Sequence, residues 1–342
     1  MTLRSRQAGL SLVELMVSIT LGLLVLSGVL VVFVNTSSAR NEVERTSRQI
    51  ENGRYASELL SQELRLAGFY GELNVGALPA PAALPADPCS LAAADWNSWM
   101  PVHLQGYDEG TGVGATTCAL SNLKANTDVV VIRRARTCVA GVGGCDAVAN
   151  GKPYVQVSLC STQTVAHKLG LEGTETFDRQ KKTCDTAAPA AKREYLVRIY
   201  FVSTDNGSGQ NVPTLKRLEL TGAGWSEVAL VEGIEEFQMQ YGLDTDGDGV
   251  PDVYVANPSD HPAGLCTGAC PRDNWMNVVT AQFHLLARNL EVTPNYTDAK
   301  TYRLGKDAAG DPIEVTPGLG FRRHVYSSLV RIANPSGRRD TP

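Results

Sequence analysis

The chain has 342 residues and a formal net charge of −5, with 43% hydrophobic and 20% charged residues. This composition is typical of a folded protein, and the length suffices for one large domain or two small ones, which excludes disorder of the whole chain. An acidic chain lacks the positive surface that nucleic acid requires, so we predict no nucleic-acid partner.

An apolar segment near the N terminus has the length of a membrane span. No charged residue occurs from Leu15 to Ala39, and the block 15–34 has about the 20 residues that a helix needs to cross about 30 Å of hydrocarbon. Arg4 and Arg6 precede this block, so the positive-inside rule predicts a cytoplasmic N terminus and an exported body.

Glu14 distinguishes this segment from simpler exported sequences. A cleaved signal peptide is an alternative, but the apolar block is longer than the usual signal core of about 7 to 15 residues. A plain signal anchor does not explain Glu14, because an acid deep in a span costs roughly 2.5 to 3.5 kcal/mol and usually has a partner.

The stretch "GLSLVELMV", residues 9–17, resembles the processing site of type IV prepilins. The resemblance implies that the prepilin peptidase cuts between Gly9 and Leu10, on the cytoplasmic side, and that the new N terminus is methylated. Glu14 then takes the place of the family's assembly glutamate, which pairs with the terminal amine of an adjacent subunit. The amine of Leu10 lies one helical turn from Glu14, so this charge can also be neutralised within the chain. Major pilins usually have phenylalanine where Leu10 stands, which indicates a minor subunit.

The helical pattern continues beyond the apolar segment and predicts one helix from near Leu10 to about Gly68. The predicted packing stripe follows steps of three, four and seven residues and comprises Val43, Ile50, Ser57, Leu60, Leu64 and Ala67. The stretch "ENGRYASELLSQELRLAGFYG", residues 51–71, is similar to the PilW family of minor pilins. The same resemblance resumes at "NWMNVVTAQFHLLARN" and at "FRRHVYSSLVRIAN".

The remaining chain is predicted to be rich in β-structure. Residues 75–99 are rich in Ala and Pro and are predicted to be a loop or linker. Short β-rich runs follow, at residues 128–136, 154–160, 195–203, 215–221, 228–242, 278–288 and 322–332. We therefore predict an α+β protein, with a helix that projects in its membrane half and packs in its second half on an antiparallel sheet. The predicted segments are a leader (1–9), a membrane and filament-core half of the helix (10–39), an amphipathic half (40–70) and an extracytoplasmic β-rich domain (71–342).

Eight cysteines, all beyond the apolar segment, predict four disulfides in an oxidising compartment. They are Cys89, Cys118, Cys138, Cys145, Cys160, Cys184, Cys266 and Cys270. The short spacings favour Cys138 with Cys145 and Cys266 with Cys270, and the sequence leaves the other pairings open.

The stretch "DTDGDGVPDV", residues 244–253, carries alternate acids that match part of an EF-type calcium loop. The predicted Ca²⁺ ligands are Asp244, Asp246, Asp248, the carbonyl of Val250 and Asp252. The loop lacks the terminal glutamate of an EF-hand, because Val255 stands in its place, and the flanking residues are predicted to be strands. The alternative is an Asp/Gly-rich hairpin turn with solvated carboxylates, although four clustered acids without a cation would repel one another.

The sequence contains neither a Walker loop nor a G-x-S-x-G elbow, so an enzyme is not predicted. The resemblance implies a minor pilin in the bacterial inner membrane, and then in a pilus, as part of its initiating or tip complex. The implied partners are other minor pilins, the major pilin, the prepilin peptidase, the inner-membrane assembly platform, inner-membrane lipid and a tip adhesin. Two alternatives stay open: a pseudopilin of a type II secretion system, and a membrane-anchored calcium-dependent adhesin or envelope enzyme.

Overall fold

The computed structural model describes residues 11–222, 224–261, 270–318 and 320–337. The chain divides into two compact units, Met1–Arg48 and Gln49–Pro342. Helix α1 is continuous over Leu12–Arg65 and contributes residues to both units. The prediction of one long helix is therefore confirmed, although Leu10 lies outside the described residues and the helix ends three residues before Gly68.

The described part of the second unit contains three further α-helices, thirteen strands and four short 3₁₀-helices. The helices are α2 (Ala93–Trp99), α3 (Cys270–Met276) and α4 (Ala333–Ser336). The strands are β1 (Leu104–Tyr107), β2 (Val129–Ala135), β3 (Pro153–Val157), β4 (His167–Leu171), β5 (Lys192–Ser203), β6 (Thr214–Leu220), β7 (Trp225–Glu232), β8 (Ile234–Leu243), β9 (Val253–Val255), β10 (Val278–Arg288), β11 (Tyr302–Lys306), β12 (Pro312–Val315) and β13 (Arg323–Arg331). The 3₁₀-helices are Val75–Ala77, Asp108–Gly110, Val113–Ala115 and Pro258–Asp260.

The strands form a seven-stranded sheet, a four-stranded sheet and a two-stranded hairpin. In the seven-stranded sheet the order is β1-β2-β5-β3-β4, and β6 pairs with both β5 and β7. The four-stranded sheet has the order β13-β10-β8-β9, and β11 pairs with β12. The pairing is antiparallel in all three, so the predicted α+β class is confirmed.

Helix α1 packs into the second unit through small side chains. Its buried residues are Gln49, Gly53, Ala56, Leu60 and Leu64, which lie one helical turn apart on one face. A Cβ on Gly53 would lie 2.1 Å from the ring of Tyr326 in β13, so only glycine fits there. The predicted stripe was wrong at Val43 and Ile50, which are 70% and 44% exposed; the helix faces the sheet with Gly53 and Ala56 instead.

Three apolar clusters stabilise the second unit. The first joins the buried face of α1 to both larger sheets, through residues such as Ile132 in β2 and Phe283 in β10. The second covers the opposite face of the seven-stranded sheet and contains Trp96 of α2. The third lies under the β11–β12 hairpin and contains Leu286 and Leu304. Burial of apolar surface in these clusters is the main force that favours the folded state.

A half-buried ionic network also connects α1 to the seven-stranded sheet. Glu63 accepts hydrogen bonds from Arg134 Nη2 at 2.8 Å and from Arg198 Nη1 at 2.6 Å. Arg198 in turn contacts Glu219 at 3.1 Å. The side chains of Glu63 and Arg134 are only 12% and 7% exposed, so each partner needs the other to offset its lost hydration.

Two local predictions were wrong. The predicted linker 75–99 contains α2, which buries Trp96 with its indole N–H bonded to the carbonyl of Ser90 at 2.8 Å. The run predicted as one strand, 228–242, is two strands that Gly233 separates with a φ of +81°. A residue in that left-handed region interrupts the extended backbone, and glycine adopts it at little cost.

Three disulfides are present among the described residues: Cys89–Cys118, Cys138–Cys145 and Cys160–Cys184. The second is the pair that its short spacing favours, and the sequence left the other two open. Cys266 lies outside the described residues, so the pair of Cys266 with Cys270 stays a prediction. Cys89–Cys118 fastens the linker before α2 to the loop before β2, and its Cys89 lies within the second apolar cluster.

Candidate functional site

The first unit presents an apolar helical surface. Residues 12–48 all belong to α1, and this helix is long and apolar enough to cross a membrane. Within the unit, apolar side chains such as Leu24 and Phe33 are each 69% exposed. An apolar surface of this size in water is unfavourable, so it favours an apolar environment such as the hydrocarbon of a membrane.

Hydroxyl groups within this helix bond to its own backbone. Ser18 Oγ donates to the carbonyl of Glu14 at 2.7 Å, and Ser27 Oγ donates to that of Leu23 at 2.8 Å. Thr20 Oγ1 donates to the carbonyl of Met16 at 2.9 Å. Each hydroxyl thus has an intrahelical acceptor, which removes the cost of placing it in an apolar environment.

Glu14 lies in the first turn of α1, and Ser11 caps that turn. The backbone N–H of Glu14 donates to Ser11 Oγ at 3.4 Å, and that of Leu15 donates to the Ser11 carbonyl at 3.1 Å. Ser11 and Glu14 have the spacing of a capping box, a signal that sequence analysis missed. The carboxylate of Glu14 also lies at the end of the helix where the macrodipole favours negative charge. Gly9 and Leu10, the predicted processing residues, lie outside the described residues.

The aspartate loop connects two antiparallel strands. Tyr241, Gly242 and Leu243 at the end of β8 pair with Val255, Tyr254 and Val253 of β9. The loop is therefore a hairpin connection, with strands rather than helices on both sides. The N–H of Asp252 closes it by donating to the carbonyl of Leu243 at 2.8 Å.

The loop brings three of the four predicted aspartates together. One carboxylate oxygen from each of Asp244, Asp246 and Asp252 lies within 4.8 Å of the others. Oxygen ligands of Ca²⁺ lie about 2.3 to 2.6 Å from the ion, so two of them are separated by at most about 5 Å. Asp248 does not join this group: its Oδ1 accepts the N–H of Val250 at 2.7 Å. Val250 itself is 57% exposed.

Local hydrogen bonds fix two of these carboxylates. Asp244 is 1% exposed, and its two oxygens accept the N–H groups of Gly247 at 2.6 Å and Gly249 at 2.9 Å. The Thr245 hydroxyl and N–H both donate to Asp252 Oδ2 at 2.7 Å, and these bonds lower the pKa of the Asp252 carboxyl. Both carboxylates are thus oriented and at least one is favoured in the charged form, as a cation site requires. Thr245 was not identified from the sequence, because its role depends on the turn that the backbone makes.

Two family models match the chain. The model described as Type IV Pilus-assembly protein W matches residues 199–334, and the model described as Prokaryotic N-terminal methylation motif matches residues 4–30. No curated protein and no solved structure matches the chain.

The matched residues include both features described above. The methylation motif covers Gly9, Leu10 and Glu14 together with most of the apolar span. The other match extends from within β5 through the aspartate loop to α4, and so contains the whole four-stranded sheet. The match to the PilW model and the match to the methylation motif, on a chain with an apolar N-terminal helix and an antiparallel domain, together support a PilW-family type IV minor pilin.

Proposed function

We propose that this minor pilin acts in the complex that initiates the pilus and remains at its tip, through association rather than catalysis. The observation that supports the proposal is the combination of an exposed, uncharged apolar helix with one acid, Glu14, in its first turn. Such a helix suits storage in the inner membrane, with the C-terminal body in the periplasm, followed by packing against the helices of other pilins.

In this proposal, Glu14 determines how the subunit enters the filament. Cleavage between Gly9 and Leu10 creates a terminal amine, and the amine of a neighbouring subunit neutralises Glu14. A charged pair costs far less in an apolar environment than an isolated carboxylate does. The neighbours are the major pilin and other minor pilins, delivered by the inner-membrane platform, and the body contacts a tip adhesin.

Processing is tested by the mass and N-terminal sequence of the protein from membranes of cells with and without the prepilin peptidase. We expect a methylated chain that starts at Leu10 only when the peptidase is present. An intact Met1 in both strains, or a start near Arg40, would contradict the proposal.

The role of Glu14 is tested by Glu14→Val, with Glu44→Ala on an exposed part of the same helix as the control. We expect Glu14→Val to be processed normally but to be lost from sheared pili, because its helix cannot pair with a neighbour's amine. Normal incorporation of Glu14→Val would contradict the pairing.

The initiating role is tested by deletion of the chain. We expect loss of surface pili and of twitching while the major pilin accumulates in the membrane. Loss of protein secretion with normal pili would instead favour the type II pseudopilin.

We also propose that the aspartate loop binds Ca²⁺ as a structural ion. Three clustered carboxylates support this, with Asp244 buried and Asp246 and Asp252 exposed. Asp248 and the carbonyl of Val250 would need to turn toward the ion to complete an oxygen-rich shell. The cation would remove the repulsion among the three carboxylates and so stabilise the β8–β9 connection.

This calcium proposal is tested by melting the full-length protein in detergent with Ca²⁺ and after chelation. We expect chelation to lower the melting temperature, and Asp246→Asn to abolish that response because Asp246 is an exposed ligand. Asp146→Asn, at an exposed acid in another loop, is the matched control. A melting temperature that chelation leaves unchanged would show that the loop is only a hairpin turn.

A further inference from the structure

A groove lies between the four-stranded sheet and the β11–β12 hairpin. Residues alternate along β10: Phe283 faces the first apolar cluster, whereas Gln282 and His284 face the groove. Gln240 of β8 lies directly opposite Gln282 in the sheet. The groove has a volume of about 540 Å³, within the range of about 300 to 1,000 Å³ that is usual for small-molecule sites.

The sheet wall of this groove has unused hydrogen-bonding capacity. The half-buried side-chain amides of Gln240 and Gln282 form no hydrogen bond with another residue that the structure describes. His284 is 8% exposed, its Nδ1 contacts Ser327 Oγ at 2.7 Å, and its Nε2 has no partner in the described part of the chain. Each amide offers two donors and an acceptor, so this wall can serve a ligand with many hydroxyl groups.

The hairpin approaches this wall as closely as its backbone allows. Gly305 in β11 has a φ of +94°, and a Cβ there would lie 2.9 Å from Gln240 Oε1 and 3.1 Å from His284 Nε2. Glycine therefore keeps the groove open at a position where any side chain would fill it. Tyr254 of β9 is 38% exposed and lines the groove beside Gln240, where its ring offers an apolar face.

Charge around the groove is mixed, and the sheet wall is neutral. Arg303 and Lys306 line the hairpin side, and Arg303 Nε is paired with Glu314 at 2.9 Å. A smaller lobe of about 240 Å³ shares Gln240, Tyr254 and Lys306 with the groove, and Asp260 and Asp307 line it. Burial lowers the pKa of His284, so its ring is neutral at physiological pH. Among the residues that the structure describes, no carboxylate lines the groove itself, so a metal ion would find no ligand of opposite charge there, whereas the neutral amides of the sheet wall suit a neutral polar ligand.

From these observations we propose that the groove binds a carbohydrate. The amides of Gln240 and Gln282 would bond to adjacent sugar hydroxyls, which donate and accept at fixed spacing. The ring of Tyr254 would cover the apolar C–H face of the sugar, and the smaller lobe beyond Lys306 provides space for a second residue of the saccharide. None of the residues that line this site belongs to α1 or is an aspartate of the β8–β9 loop, so a pilus built from this subunit would carry a separate glycan-binding surface.

The test uses the full-length protein in a detergent that has no sugar headgroup, because a glycosidic detergent would compete. Methyl glycosides of glucose, galactose, N-acetylglucosamine and glucuronic acid are titrated, and binding is followed by saturation-transfer NMR and calorimetry. We expect saturable binding of at least one glycoside. If glucuronic acid binds more tightly than the other glycosides and Lys306→Ala removes this preference, the carboxylate of the sugar lies beside Lys306 on the hairpin side.

The variants Gln240→Ala and Gln282→Ala are each expected to weaken binding by about three- to tenfold, the effect of one lost neutral hydrogen bond. Gln62→Ala, at an exposed glutamine on α1, is the matched control and should bind as the parent does. Equal melting temperatures for the three variants would show that the fold is unchanged. The proposal is overturned if no glycoside binds saturably, or if both groove variants bind as tightly as the control.

Discussion

The two parts of helix α1 have the same backbone structure and opposite surfaces. Residues 15–39 carry no charge, and their apolar side chains are exposed. In the part that belongs to the second unit, Gly53, Ala56, Leu60 and Leu64 are buried, and Glu63 joins an ionic network. The first surface is adapted to apolar surroundings outside the chain, whereas the second completes a core within it.

This difference shows that helix length says little about which interactions stabilise a helix. In the second unit the helix packs closely because Gly53 and Ala56 leave room for the sheet, and its charged residue has fixed partners. In the first unit, the position that a Cβ would take on Gly22 or Gly28 has no atom of the described residues within 4 Å apart from those of the adjacent residues and the nearby backbone of the same helix. Matched substitutions in the two parts of α1 can therefore show how much each part contributes to the stability of the body.

The largest effect is expected for Glu63→Ala. The change leaves Arg134 and Arg198 half-buried without their shared carboxylate, which should cost about 3 to 5 kcal/mol of unfolding free energy. Glu44→Ala is the control, because its pair with Arg48 is exposed at 66% and 52% and should contribute little. Thermal or denaturant unfolding measures both, and equal losses would contradict the comparison.

The stabilisation that Glu63 provides, and that Glu63→Ala removes, depends on pH. Burial opposes the charged form of Glu63, but the hydrogen bonds and charges of Arg134 and Arg198 outweigh it and hold its pKa below the usual value. The stabilisation is therefore present above pH about 4.5 and is lost as the pH falls through the lowered pKa. The difference in unfolding free energy between the parent and Glu63→Ala should therefore become smaller over that acidic range.

A smaller loss is expected for Gly53→Leu. The new side chain would overlap the ring of Tyr326, and overpacking of this kind costs about 1 to 3 kcal/mol. Gly22→Leu adds the same side chain to the same helix where no atom is near, so it should leave the melting temperature of the body unchanged. A Gly53→Leu protein that melts like Gly22→Leu would show that Tyr326 moves freely aside.

The effect that is smallest per unit of pH is a slope in stability from Asp128, a buried acid whose interactions differ from those of Glu63. It is 2% exposed and accepts the N–H groups of Glu109 at 2.8 Å and Met239 at 2.6 Å. Burial, with the nearby charge of Asp108, outweighs these bonds and raises the pKa of Asp128 to about 8. The folded state then binds the proton more tightly than the unfolded state, so stability is highest at acidic pH and falls as the pH rises toward about 8.

The free energy of unfolding should fall by less than about 1.4 kcal/mol per pH unit, the limit for one proton. Unfolding of the parent and of Asp128→Asn between about pH 5 and pH 9 measures it. The variant should lack the slope, whatever its absolute stability, and Asp146→Asn should keep it. A parent whose stability rises over this range would contradict the raised pKa.

The strands predicted from alternation were the most reliable part of the sequence analysis. The run predicted at residues 278–288 is β10, in which apolar and polar residues alternate, with Phe283 in the core and His284 on the opposite face. Strands such as β4 and β11 were missed because they are short and partly polar, and pairing with neighbours stabilises them. Helix α2 was missed because a seven-residue helix has no clear period, and burial of Trp96 stabilises it.

The aspartate loop, too, was predicted only in part from the sequence. Acids on alternate residues predicted a cluster, and Asp244, Asp246 and Asp252 do meet. Which acid would be left out depended on turn geometry, because the carboxylate of Asp248 bonds to the N–H of Val250.

The apolar span, the position of Glu14 and the antiparallel character of the body were predictable from the residues alone, because each depends on their order along a few turns or one strand. The packed face of α1, the pairing of the cysteines that lie further apart and the position of the groove became clear only from the three-dimensional structure. Those features depend on residues far apart in the chain, such as Gly53 with Tyr326 and Gln240 with Gly305. No local pattern can encode such contacts, since they form only when the sheets and the helix pack together.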